Sequence, residues 1–209
     1  MIVTGLVGAM VSGIVALESY FEARADDAGR DWPRIAGLAA AAGGVAMGAV
    51  ACLSPAVAES PVGGAACALL GSSIAACAAF DARARTVPTV LVVCVGAAGL
   101  ALGKTLSGSG PALMGAFGIG LLTAVPAAAI RLLRHRRAIA PADIALLAAL
   151  GAVWGFSIDA WKVFLTASCL VLAGCMAYDR VKKGDGTCPL FTVLAVPAYV
   201  GLAYAALAA

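Results

Sequence analysis

Apolar residues run through this chain in long unbroken stretches, at 2–17, 35–58, 61–80, 87–103, 111–130, 138–156, 163–178 and 189–209, with short polar breaks between them. A helix needs about 20 such residues to cross the hydrocarbon of a bilayer. The stretches are continuous and rich in Ala, Leu and Gly, without the alternation of apolar and polar positions that barrel strands carry, so they predict helices. The expected architecture is all-α: a polytopic membrane protein with about eight transmembrane helices. Composition points the same way, because 63% of the 209 residues are hydrophobic and only 12% are charged, too little polar surface for a soluble globule.

The polar breaks set the expected orientation. Arg24, Arg30 and Arg34 follow the first stretch, Arg83 and Arg85 the third, Arg131, Arg134, Arg136 and Arg137 the fifth, and Arg180, Lys182 and Lys183 the seventh. The remaining breaks hold only Lys104 and Lys162. This one-sided distribution of basic residues predicts that the odd-numbered loops are cytoplasmic and that both termini lie outside. The net charge of +3 then reflects topology, and no nucleic-acid partner is expected. No basic n-region precedes 2–17, which predicts a retained helix and not a cleaved signal peptide. The longest polar stretch, 18–34, mixes Glu18, Glu22, Asp26, Asp27 and Asp31 with three Arg and is too short for a soluble domain. Residues 1–209 are therefore read as a single membrane-embedded domain.

The cysteines, Cys52, Cys67, Cys77, Cys94, Cys169, Cys175 and Cys188, fall in or at the edge of apolar stretches with no Cys-x-x-Cys pair, and the one histidine is His135. Thiolates at metal-site spacing are missing, so neither a metal centre nor a cofactor is expected. The thiols read as small apolar packing residues. Glycines are candidates for close helix contact where lipid supplies no hydrophobic drive between helices, among them Gly115, Gly118 and Gly120 of the fifth stretch.

Chemistry has to come from the acids. Asp81 closes the stretch 61–80 and opens a basic loop; Asp143 falls just inside 138–156, beyond the basic residues at 134–137. On the expected topology one ends a helix that runs inward and the other starts a helix that runs outward, so both reach the cytoplasmic interface and can meet. A carboxylate against the apolar interior of a membrane is costly and usually functional. Asp81, beside Arg83 and Arg85, also fits an ordinary solvated charge; Asp143, among Ala142, Ile144, Leu146 and Leu147, fits that reading less well. Asp159, Asp179 and Asp185 lie in or beside polar loops and read as solvated. Two carboxylates within hydrogen-bonding reach cannot both ionise easily and come to share a proton. One can then activate a water while the other, protonated, polarises a carbonyl, a mechanism that requires no metal and no nucleophilic side chain.

The residues around both acids resemble a known family. Phe80-Asp81-Ala82-Arg83-Ala84-Arg85-Thr86-Val87-Pro88-Thr89 resembles the first catalytic motif of the type IV prepilin peptidases and archaeal preflagellin peptidases, where an Asp ending a helix is followed by basic residues and Ile/Val-Pro-Asn. Ala140-Pro141-Ala142-Asp143, with its apolar continuation to Gly151, is similar to their G-x-G-D segment. Cys188-Pro189-Leu190-Phe191-Thr192-Val193-Leu194-Ala195 is similar to the P-F-x-P-F-L-A run that opens their last helix. The likeness covers order and spacing from the stretch 61–80 onward. Ala140 and Ala142 stand in place of two glycines, Ala145 in place of Lys and Thr89 in place of Asn.

The resemblance implies that Asp81 and Asp143 are the catalytic pair, flanked by Arg83, Val87, Pro88, Ala140 and Ala142, with no metal and no cofactor. It implies an aspartic endopeptidase of a bacterial inner membrane that removes the short basic leader from a prepilin or pseudopilin helix at the cytoplasmic face. Longer members carry a Cys-rich cytoplasmic region, associated with methyl transfer, at the position of 18–34; this loop has no cysteine, so the resemblance does not extend to methylation. Two other classes stay open. One is a proton- or cation-coupled small transporter using Asp143, which calls for acids deep along a polar path. The other is a catalytically degenerate membrane scaffold for pilus assembly, which the lost glycines would fit.

Overall fold

The computed structural model describes residues 32–84, 87–134, 140–155, 157–182 and 190–208. The expected helix at 2–17 lies outside that range, as does most of the loop 18–34. Among the described residues the apolar stretches are helical and no strand occurs. The elements are α1 (Trp32–Leu53), α2 (Pro55–Ala58), α3 (Pro61–Ala84), α4 (Thr89–Ser107), α5 (Ser109–Arg134), α6 (Pro141–Trp154), α7 (Ile158–Lys182) and α8 (Leu190–Ala208). Four helices are long and apolar enough to cross a membrane, over Ile35–Leu53, Pro61–Ala82, Thr89–Ser107 and Ser109–Ile130. The protein is thus a helical membrane protein.

Two departures from the expected stretches have local causes. The stretch 35–58 breaks at Ser54, which is extended at φ −92° and ψ 114° ahead of Pro55; a proline ring disfavours helical backbone in the residue before it. The stretch 138–156 yields only the 14 residues of α6, about 21 Å of helix. Pro141 starts it, where the missing N–H would have no intrahelical partner anyway. Gly155 ends it at φ +56°, a conformation that a Cβ disfavours, and donates its N–H to the Gly151 carbonyl at 2.7 Å.

Small residues let the helices approach backbone to backbone. A Cβ added at Gly43 of α1 would stand 2.6 Å from the Gly71 carbonyl of α3, and one added at Gly71 would stand 2.6 Å from the Gly43 carbonyl. Gly115 of α5 and Gly151 of α6 meet in the same way, whereas Gly120 reaches Ala148 only at an ordinary 3.5 Å. Gly99 and Gly103 of α4 press on Ala149 and Ala152 of α6. Close approach of this kind is what helix association in lipid depends on. Around these contacts Met47, Leu70, Ile74, Leu91, Leu102, Leu146, Leu150, Phe191 and Leu202 are fully buried. The outer face of α5 exposes Leu113, Met114, Phe117, Leu121, Leu122 and Val125, an oily exterior suited to lipid.

The same contacts give the helix directions. Gly43 with Gly71, and the Cys67 thiol donating to the Met47 carbonyl at 3.4 Å, set α1 antiparallel to α3. Gly63 against Thr105 sets α3 antiparallel to α4, and the pairs along α4 and α6 rise together, so these two are parallel. α5 runs against α6, and α8 runs against α3. The C-terminal ends of α3 and α5 therefore share one end of the bundle with the N-terminal ends of α4, α6 and α8. Arg83, Arg131 and Arg134 belong to those helix ends. At the opposite end Trp154 meets Trp161 edge-on at 5.0 Å and Phe164 at 5.5 Å, an aromatic cluster of the kind that marks a membrane–water interface.

Candidate functional site: two aspartates at one end of the bundle

Asp81 reaches the shared end on α3. The helix continues to Ala84, so Asp81 lies in its last turn and not at the opening of a loop. Its half-buried carboxylate turns towards α8. Oδ2 accepts the Thr192 backbone N–H at 3.1 Å. The Thr192 hydroxyl donates to the Ala78 carbonyl at 2.9 Å and stands 3.4 Å from the same Oδ2. Thr192 is the third residue of α8, and the first N–H groups of a helix have no intrahelical acceptor. Asp81 thus caps a helix that begins more than a hundred residues later in the chain. The arrangement is also electrostatically sensible. An acid in the last turn of its own helix faces the negative end of that dipole, and the N-terminus of α8 presents the opposite sign.

Asp143 is anchored differently. It is the third residue of α6 and only 3% exposed, and its Oδ2 accepts the Ala140 N–H at 3.1 Å. This is one half of a capping box; the reciprocal half is missing because Ala140 has no side-chain acceptor. Buried Ala142 and Leu146 lie beside it in the chain.

The two acids stand at the same end of the bundle, Asp81 in the last turn of α3 and Asp143 in the first turn of α6. α4 packs against both α3 and α6, and so does α8, so these two helices hold the acid-bearing pair in position. In each carboxylate one oxygen is tied to a backbone N–H, and among the described residues no hydrogen bond reaches Oδ1.

The flanking residues have plain structural places. The Pro88 carbonyl opens α4 by accepting the Val92 N–H at 3.2 Å, and half-buried Val87 packs on the core. Arg83 is in the last turn of α3. Ala140 has φ −77° and ψ 153°, ordinary for any L-residue, and Ala142 is helical and buried. Neither position needs glycine for its backbone conformation. Asp159 is exposed and pairs with Lys162 at 3.3 Å, far along the chain from the acids and beside the aromatic cluster. Among the described residues no three His, Cys, Asp or Glu side chains come together as a cation site.

Sequence reasoning missed Thr192. Its one signal was a hydroxyl residue near the start of the last apolar stretch, which by itself does not distinguish a local cap from a partner of a distant acid. The chain matches no family model, no curated protein and no solved structure.

Proposed function

We propose that the protein is a membrane aspartic endopeptidase that removes the short basic leader from a prepilin or pseudopilin, using Asp81 and Asp143 as its catalytic pair. One observation carries this reading: two carboxylates from separate helices stand at a single end of an apolar bundle, each held by a backbone N–H. In the proposed cycle the ionised carboxyl takes a proton from a bound water, which attacks the scissile carbonyl. The protonated partner donates a hydrogen bond to the carbonyl oxygen and later passes its proton to the leaving amine.

Placement of the acids supports the substrate class. They lie at the end that carries Arg83, Arg131 and Arg134, the cytoplasmic end by the positive-inside rule. A substrate helix in the bilayer with its basic leader inside would bring its cleavage point to that level. The fuller picture is about eight spans with both termini outside, in a bacterial inner membrane, acting without metal or cofactor. The test is co-expression of the full chain with candidate prepilins, comparing wild type with Asp81→Asn and Asp143→Asn. Leader removal by wild type alone is the expected result; processing that survives both changes would eliminate the dyad and leave a transporter or scaffold role.

A further inference from the structure

We infer that Thr192 is a positioning residue for Asp81: it holds Oδ2 against the start of α8 and so sets how the other oxygen, Oδ1, is presented at the end of the bundle that Asp143 shares. The inference rests on the endopeptidase reading and adds to it a residue outside both acid motifs. Three contacts carry it. The Thr192 N–H reaches Oδ2 at 3.1 Å, the hydroxyl lies 3.4 Å from the same atom, and that hydroxyl is itself oriented by its 2.9 Å bond to the Ala78 carbonyl. Ala78 stands three residues before Asp81 on α3, so the single hydroxyl spans one turn of that helix and fixes the depth at which α8 docks.

A carboxylate on a helix can rotate about both of its side-chain bonds. Two contacts to one oxygen from a rigid helix start remove most of that freedom. A second tie lies farther along the same seam, where the Tyr199 hydroxyl donates to the Gly71 carbonyl. α8 is therefore registered on α3 at two levels, and only the level of Thr192 touches an acid. Catalysis by a carboxyl pair depends on holding the reacting groups in productive geometry, and a small misplacement is enough to lower turnover without altering substrate binding. Thr192 does not touch substrate in this scheme; it acts through Asp81.

Thr192→Val removes the hydroxyl, keeps the β-branched shape and leaves the backbone N–H in place, and Thr192→Ser restores the hydroxyl. Both are to be measured as full-length protein in proteoliposomes on a synthetic prepilin, with kcat, KM and the thermal midpoint recorded. The expected result for Thr192→Val is a fall of about tenfold in kcat, the equivalent of one hydrogen bond to a charged group. KM should stay near wild type, the midpoint should fall no further than in Tyr199→Phe, which cuts the other α8–α3 tie, and Thr192→Ser should recover kcat to within about twofold. Thr192→Cys, with a weak donor of similar size, takes the place of the valine variant if that one does not fold. Wild-type kcat in the hydroxyl-free variant would overturn the inference. So would a serine variant as slow as the valine one. Asp81→Asn and Asp143→Asn are run alongside: if both cleave at the wild-type rate, the endopeptidase reading itself fails, whereas severely slowed Asn variants beside a normal Thr192→Val sink only the role given to Thr192.

Discussion

Asp81 and Asp143 stand at the same end of one bundle, yet they are held by different lengths of chain. Asp143 is fixed within its own first turn, by the Ala140 N–H three residues back. Asp81 is fixed by Thr192, across 111 residues and a helix–helix interface. The first arrangement survives as long as α6 exists. The second survives only while α8 is docked on α3. One arm of the pair is thus built into local backbone, and the other reports whether the bundle is assembled. For the proposed hydrolytic site, an acid correctly placed only in the closed fold would act as a safeguard, because the partly assembled chain lacks a complete pair.

The largest effects are expected at the acids themselves. Asp81→Asn and Asp143→Asn should each lower cleavage by a factor on the order of a hundred to ten thousand, the usual contribution of a general acid or base, in an assay on purified protein. Their alanine variants should then diverge in stability. Asp81→Ala removes the cap of α8 and should cost about 0.5–2 kcal/mol in denaturant or thermal unfolding. Asp143→Ala loses a cap but also relieves a buried carboxylate, so its change should be smaller.

Ala140→Pro removes only the N–H that holds Asp143, at a φ of −77° that proline tolerates. It should lower kcat by about tenfold, the equivalent of one charge-assisted hydrogen bond, with little change in melting. Tyr199→Phe does the opposite. It cuts the α8–α3 tie away from the acids and should lower stability by about 1 kcal/mol while moving kcat far less. The smallest effect is expected from the double change Ala140→Gly and Ala142→Gly. Glycine gains slightly over alanine as an N-cap and loses about 0.5–1 kcal/mol inside a helix, so stability should move by less than about 1 kcal/mol. Turnover should change by no more than about threefold, because neither alanine is strained. A large gain in activity would show that the close approach of glycine, and not its backbone freedom, is what that position provides.

Much of the frame could be read from consecutive residues. The stretches 61–80, 87–103 and 111–130 announced α3, α4 and α5 because hydropathy is a property of neighbours in the chain and a membrane imposes the same solvent along the whole helix. Boundaries were less legible: α3 runs past Asp81 to Ala84, and α6 is shorter than its stretch because Pro141 and Gly155 end it from within. Of the glycines, Gly115 could be singled out as a close contact, but its partner Gly151 could not, since the choice of partner depends on how α5 and α6 face each other.

Hydropathy and charge along the chain are enough to make this a helical membrane protein whose two conspicuous acids lie near ends of apolar segments flanked by basic residues. Local chain chemistry suffices for that, and it also suffices for the bond from Ala140 to Asp143, which spans a single helical turn. Which neighbouring helices flank the two acids, and that Thr192 takes hold of Asp81, came only with the folded bundle. Those relations depend on which helices α4 and α8 bring together, and packing among nearly uniform Ala, Leu and Gly surfaces is settled by small-residue contacts that no stretch of sequence reveals on its own.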